Sequence, residues 1–120
     1  MTNYFPASSS HIQAWRPIKT IYKDPLGVAD ARSVAEEDLV AARTVYPNHQ
    51  RETWTVKPNE GHRWFFKYAQ RPDEVMLIKC FDTDTEVARR VPHSAFQDPS
   101  HTEDDWRESI EIRAMLFYGE

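Results

Sequence analysis

The sequence has a single cysteine, Cys80, among its 120 residues, and it has no long apolar run. One cysteine excludes an intrachain disulfide and favours a reducing compartment. We interpret Cys80 as a small buried hydrophobic side chain rather than a nucleophile. No stretch is long enough to span a bilayer, and the polar residues 1–10 do not resemble a secretory signal. The expected location is therefore the cytoplasm, without a membrane segment.

Clustered basic residues are also missing. The chain has 15 Lys and Arg against 19 Asp and Glu, for a net charge of −4, and these charges are spread along its length. A general nucleic-acid-binding protein has a concentrated basic face, so that class is excluded. No internal repeat interrupts the chain, and its length allows one domain. We interpret residues 1–10 as a flexible lead-in and residues 11–120 as a single β-rich domain.

Alternating apolar and polar residues predict several short strands. Residues 11–17 form one that ends, or lies at an edge, at Pro17. Residues 51–57 and 62–69 flank a loop rich in turn formers, which predicts a hairpin. The nearly continuous apolar run 75–81 is typical of a strand covered on both faces.

Three further elements complete the prediction. A turn at 24–27 precedes a short strand at 28–32, and the chain ends in a long strand over 107–118. Ser33 and Glu36 fit a capping box, which predicts a short helix over residues 34–42. The fold class is therefore mainly β, a sandwich or barrel with one or two short helices.

Several strings, in this order and spacing, resemble a microbial and largely fungal hydroxylase/desaturase family of secondary metabolism. That family includes relatives of the small subunit of cephamycin methoxylase and of gibberellin desaturase. The resemblance begins near His11 and covers the later part of a family member. The strings are Ala14-Trp15-Arg16-Pro17, Asp30-Ala31-Arg32-Ser33, Glu52-Thr53-Trp54, His62-Arg63-Trp64-Phe65-Phe66, Pro72-Asp73-Glu74, Leu77-Ile78-Lys79-Cys80-Phe81-Asp82, Pro92-His93-Ser94-Ala95-Phe96 and Arg107-Glu108-Ser109-Ile110-Glu111-Ile112-Arg113.

The resemblance implies an oxidoreductase with a double-stranded β-helix, or jelly roll, that is incomplete here. It also implies Fe(II) and 2-oxoglutarate as cofactors and a small organic molecule as substrate. Iron in such enzymes is held by two His and one carboxylate, which leaves positions open for 2-oxoglutarate and oxygen.

Within this family resemblance, His93 matches the second metal-binding His. The alternative is a loop His with an ordinary hydrogen-bonding role. Arg107 and Ser109 match the pair that binds the far carboxylate of 2-oxoglutarate, since an Arg fork offers two parallel N–H donors. The alternative for Arg107 is an ion pair with Glu108 or Glu111.

Lys79 is a third candidate for cofactor binding. Within its apolar strand, the ammonium would either neutralise a bound carboxylate or reach water from near the strand end. The aromatic residues Trp54, Trp64, Phe65 and Phe66 are assigned to the core rather than to a substrate cage.

The His-x-Asp pair that supplies the other two metal ligands in the family is missing. Only His101 is followed two positions later by an acid, Glu103, and this pair comes after His93 instead of before the Trp-Arg-Pro strand. The residues two positions after His11, His49, His62 and His93 are Gln13, Arg51, Trp64 and Ala95. The metal triad is therefore incomplete in this sequence.

Three hypotheses follow for function. The chain is a short or truncated oxygenase that is inactive alone, a non-catalytic binding or partner subunit, or one half of a site whose missing ligands come from another chain. Because the early strands of the fold would be missing, sheet edges should be unpaired. We therefore expect self-association, a partner chain or poor solubility.

Overall fold

Short strands make up most of the regular structure in residues 8–119, the part of the chain that the computed structural model describes. The strands are β1 (Ser9–Pro17), β2 (Leu26–Ala29), β3 (Leu39–Val45), β4 (Gln50–Val56), β5 (Trp64–Phe65), β6 (Met76–Asp82), β7 (His93–Ala95) and β8 (Ser109–Phe117). Single 3-10 turns occur at Ala31–Ser33, Glu36–Asp38 and Pro99–His101. Within these residues, no helix has the length and apolarity needed to cross a membrane.

Strand β1 is the middle strand of the central sheet, in the order β6-β1-β8. It pairs antiparallel with both neighbours, and Trp15 lies opposite Met76 on one side and Glu111 on the other. Gln13 and Trp15 share its buried face, as the alternation predicts. The predicted strand is confirmed, including its end at Pro17. It begins at Ser9, and residues 1–7 of the predicted lead-in lie outside the described residues.

The predicted pairing of residues 51–57 with 62–69 is wrong. Strand β4 pairs with β3, from Leu39 opposite Val56 to Val45 opposite Gln50, whereas β5 joins β2 and β7 in a second three-stranded sheet. The turn between β4 and β5 is instead hydrogen-bonded to Asp38. The side-chain amide of Asn59 and the imidazole of His62 both bond to the Asp38 carboxylate. Alternation identified β4 but not its partner, and within the predicted strand 62–69 only Trp64–Phe65 form a strand.

The predicted helix over residues 34–42 is replaced by the 3-10 turn at Glu36–Asp38 and by strand β3. Ser33 does not cap a helix, because its hydroxyl donates to the Asp30 carbonyl and accepts from the Arg63 N–H. The β-branched residues of β3 suit a strand better than a helix. Strand β2 likewise ends at Ala29, before the 28–32 prediction expects, because Asp30 caps the following turn.

The core lies between the central sheet and β2. Its buried residues are Trp15, Ile21, Leu26 and Ile78, with Met76 and Val91 packed against them. Trp15 and Ile78 come from adjacent strands of the central sheet, and Leu26 comes from β2. This cluster therefore joins the two three-stranded sheets through side-chain packing.

The opposite side of the central sheet is apolar and open. We call it the outer face; its exposed members are Leu77, Ile110, Ile112 and Leu116. The prediction that residues 75–81 are covered on both faces is therefore wrong: Ile78 is 1% exposed but its neighbour Leu77 is 70% exposed. Among the described residues, these four apolar side chains remain exposed to solvent.

Adjacent residues of β6 give a direct test of this one-sided burial. We expect Ile78→Ala to lower the free energy of unfolding by about 2–5 kcal/mol, because it removes packed methyl groups and leaves a cavity. Leu77→Ala should change it by only about 0.5 kcal/mol, because that side chain already faces solvent. Urea unfolding of both variants checks this, and equal losses would contradict the assignment of the two faces.

Candidate functional site

A cavity of about 830 Å³ opens between the central sheet, the β3–β4 hairpin and the second sheet. His11, Gln13 and Lys79 line it from the central sheet, Trp54 from the hairpin, and Trp64 and His93 from the second sheet. Each of the three sheets thus contributes a wall. The size suits a small organic ligand, since such pockets span about 300–1,000 Å³.

His93 is held in a defined orientation on β7, opposite Val28 of β2. Its Nδ1 lies 2.9 Å from the carbonyl oxygen of Val91. A carbonyl only accepts, so Nδ1 carries the hydrogen and the lone pair of the neutral ring is on Nε2. Metal-binding imidazoles are fixed in the same way, through the nitrogen that does not bind the metal.

The described residues do not complete an iron centre around His93. They contain no group of three or more His, Cys, Asp or Glu side chains placed to hold a metal ion. His11 lines the same cavity, but its ring packs edge-on against Phe81, with centroids 5.6 Å apart. One oriented imidazole does not fit the donor set of two His and one carboxylate that Fe(II) needs.

Arg107 lies two residues before β8, and Ser109 opens that strand opposite Pro17. The Arg107 Nη1 donates to the carbonyl oxygen of Asp24 at 3.0 Å, and its guanidinium lies 5.7 Å from the centre of the Trp15 ring. No ion pair joins Arg107 to Glu108 or Glu111 within the described residues. Its remaining N–H groups have no partner there, so a half-buried, oriented fork is available for a carboxylate.

The structure separates the predicted site residues into two groups. His93 and Lys79 line the cavity, whereas Arg107 and Ser109 are not among its lining residues. A shared site for all four residues stays a prediction.

Lys79 is engaged by Asp82. Its Nζ lies 2.7 Å from Oδ2 of Asp82, whose side chain is only 8% exposed. The hydrogen bond from Lys79, followed by that from the Asp84 N–H, holds the pKa of Asp82 below its ordinary value. The ammonium therefore has a carboxylate within this chain, and its role toward a cofactor stays a prediction.

Sequence reasoning missed several residues of the cavity. Trp54 and Trp64 are not core: they are 55% and 47% exposed and line the cavity. Cys80 is exposed rather than buried, although partial burial raises the pKa of its thiol and so keeps it protonated. The strand alternation that marked the two Trp side chains does not show whether a strand face meets a core or a cavity.

Comparison with known proteins places the chain among oxidoreductases. The family model described as an oxidoreductase/YMDC permease-like domain matches residues 5–117. The hydroxylase/desaturase efuI of Hormonema carpetanum is 40% identical over 119 residues, which cover 89% of this chain and 40% of that protein. The gibberellin cluster GA4 desaturase of Gibberella fujikuroi is 34% identical over 113 residues, covering 87% of this chain and 33% of that protein.

A solved structure of the iron and alpha-ketoglutarate-dependent endoperoxidase NvfI matches with a TM-score of 0.83 and 29% identity. The match covers 94% of this chain and 43% of that one. The resemblance to fungal hydroxylases and desaturases and the mainly β, jelly-roll fold class are thereby confirmed. The chain spans less than half the length of each of these three proteins.

The Lys79–Asp82 pair beside the cavity predicts a pH dependence of stability. A carboxyl whose pKa is lowered by folding adds stability above its unfolded pKa of about 3.9 and loses it as the pH falls through the folded pKa. We expect Asp82→Asn to be less stable than the unmodified chain at about pH 7, with the gap closing toward about pH 2. Urea midpoints across this range test it. Asp105→Asn, in the loop before β8, should leave the loss of stability at low pH unchanged.

Proposed function

Because the chain belongs to the oxidoreductase/YMDC permease-like family, we propose that it forms part of the active site of an Fe(II)/2-oxoglutarate-dependent hydroxylase or desaturase. The substrate would be a small organic molecule of secondary metabolism. Relatives named as hydroxylase/desaturase and gibberellin desaturase support the reaction class. The observation that carries the proposal is the imidazole of His93, fixed through Nδ1 at the wall of an 830 Å³ cavity.

In this proposal His93 offers Nε2 to the metal, while the Val91 carbonyl holds the ring in place. Arg107, anchored on the Asp24 carbonyl and Trp15, binds the far carboxylate of 2-oxoglutarate, with the Ser109 hydroxyl as a second donor. Lys79 adds positive charge at the cavity wall that the central sheet forms. Since the described residues do not complete the iron ligands, no chemical step is assigned to this chain alone.

The missing ligands would come from polypeptide outside this sequence or from a partner chain. The incomplete donor set and the open outer face also favour a second candidate function, a non-catalytic partner subunit that keeps the fold without the iron. The two functions differ in one respect: only the first requires His93 to bind metal once the other ligands are present.

Anaerobic titration with Fe(II) and 2-oxoglutarate tests the proposed role of His93. We expect no visible charge-transfer band from the chain alone. A band should form when the chain is fused to, or mixed with, the part of hydroxylase/desaturase efuI that it does not span. His93→Ala should abolish that band, and Arg107→Ala should weaken it, because the first removes a metal ligand and the second a co-substrate anchor.

Matched controls are available on the β3–β4 hairpin. His49→Ala, which removes an exposed ring stacked on Tyr46, and Arg43→Ala, an exposed partner of Glu52, should leave the band unchanged. A band that survives His93→Ala would overturn the proposed metal role. A folded fusion with no band at all would favour the partner-subunit function.

The outer face supports a proposal of self-association or of a partner chain. Leu77 of β6 and Ile112 of β8 lie on either side of Ala14 of β1, and Ile110 continues the apolar strip along β8, which is typical of an interaction surface. We expect the chain to associate with increasing concentration in sedimentation velocity, and Ile112→Lys to reduce association. Val87→Lys, at an exposed apolar loop residue away from this face, is the control. A monomer at every concentration would contradict the proposal.

A further inference from the structure

The cavity is cationic on its inner surface. Lys79, Arg90 and Arg113 line it, and none of its described lining residues is Asp or Glu. Each of these cations is paired with a carboxylate that does not line the cavity, namely Asp82, Glu36 and Glu111. The carboxylates fix the positions of the cations, and N–H donors that these pairs leave free can bind an anion.

Arg90 is the best placed of the three to recognise a ligand. The Lys79 ammonium lies 2.7 Å from the buried carboxylate of Asp82, and Arg113 is largely exposed. Arg90 is 20% exposed and bonds to Glu36 through Nη2 alone. Its Nε and Nη1 groups have no partner among the described residues, so the fork retains donors for a carboxylate.

Two Trp side chains line the cavity together with these cations. The guanidinium of Arg90 lies 5.1 Å from the centre of the Trp54 ring, which leaves the other face of that ring without a cation. Trp54 and Trp64 reach the cavity from different sheets, and both are about half exposed. Exposed Trp rings gain free energy when a flat apolar group covers them. 2-Oxoglutarate has no ring, so these walls do not serve the co-substrate.

We propose that the cavity binds a flat, ring-bearing organic acid, with Arg90 on its carboxylate and Trp54 on its ring. This names the substrate class of the proposed oxygenase site and rests on that function for its role as substrate. The cavity volume is large enough for a ligand of several fused rings.

Isothermal titration calorimetry of the iron-free chain tests the proposal with three probes: 2-naphthoate, its neutral analogue 2-naphthalenemethanol, and 2-oxoglutarate. We expect 2-naphthoate to bind roughly tenfold or more tightly than the alcohol, the size expected for one charge-assisted hydrogen bond. It should also bind more tightly than 2-oxoglutarate. Arg90→Gln should reduce naphthoate binding to the level of the alcohol, and Trp54→Ala should weaken both ring probes.

Arg43→Gln and Trp106→Ala are matched controls, because neither side chain lines the cavity. Equal affinity of the acid and the alcohol, or equal losses in Arg90→Gln and Arg43→Gln, would overturn the proposal. The comparison of acid with alcohol needs no variant, so a misfolded variant does not remove the test. Because no iron is present, failure of the charge-transfer experiment and failure of naphthoate binding are separate results.

Discussion

Packing of Trp15 against Ile78 and Leu26 is the contact on which the arrangement of the molecule depends. Trp15 lies on the middle strand of the central sheet. Leu26 lies on β2, which is hydrogen-bonded to β7, the strand that contains His93. The Trp15 ring also lies 5.7 Å from the guanidinium of Arg107. One side chain thus sets the separation of the two sheets and the position of a candidate ligand-binding Arg, so core and site are not independent.

Prediction from sequence succeeded where the signal is local. Strand β1 was recognised because the alternation over residues 11–17 places Gln13 and Trp15 on one face, which is the buried one. It failed where the outcome depends on distant partners: Ser33 looked like a helix cap, but Arg63 and Asp30 occupy its hydroxyl. Residues 51–57 resembled half of a hairpin with the segment after them, but β4 pairs with β3 and the later segment pairs with β2.

The candidate site likewise has features that the sequence revealed and features that only the structure shows. His93 and Arg107 were found through the resemblance to a family, because no pattern of the residues by themselves marks them. The hydrogen bond of His93 to Val91 and the anchoring of Arg107 on Asp24 could not be foreseen, since both depend on backbone carbonyls. Trp54 and Trp64 were misassigned to the core, because a strand facing a cavity has the same alternation as one facing a core.

The central sheet connects the open outer face with the cavity in which the metal ligands are incomplete. The strands β1 and β6 present His11, Gln13 and Cys80 to the cavity, and the same strands expose Leu77 on their other side. A polypeptide that covered the outer face would bind only the folded form of these strands and would stabilise it by mass action. Stability of the cavity wall and occupancy of the outer face are therefore linked.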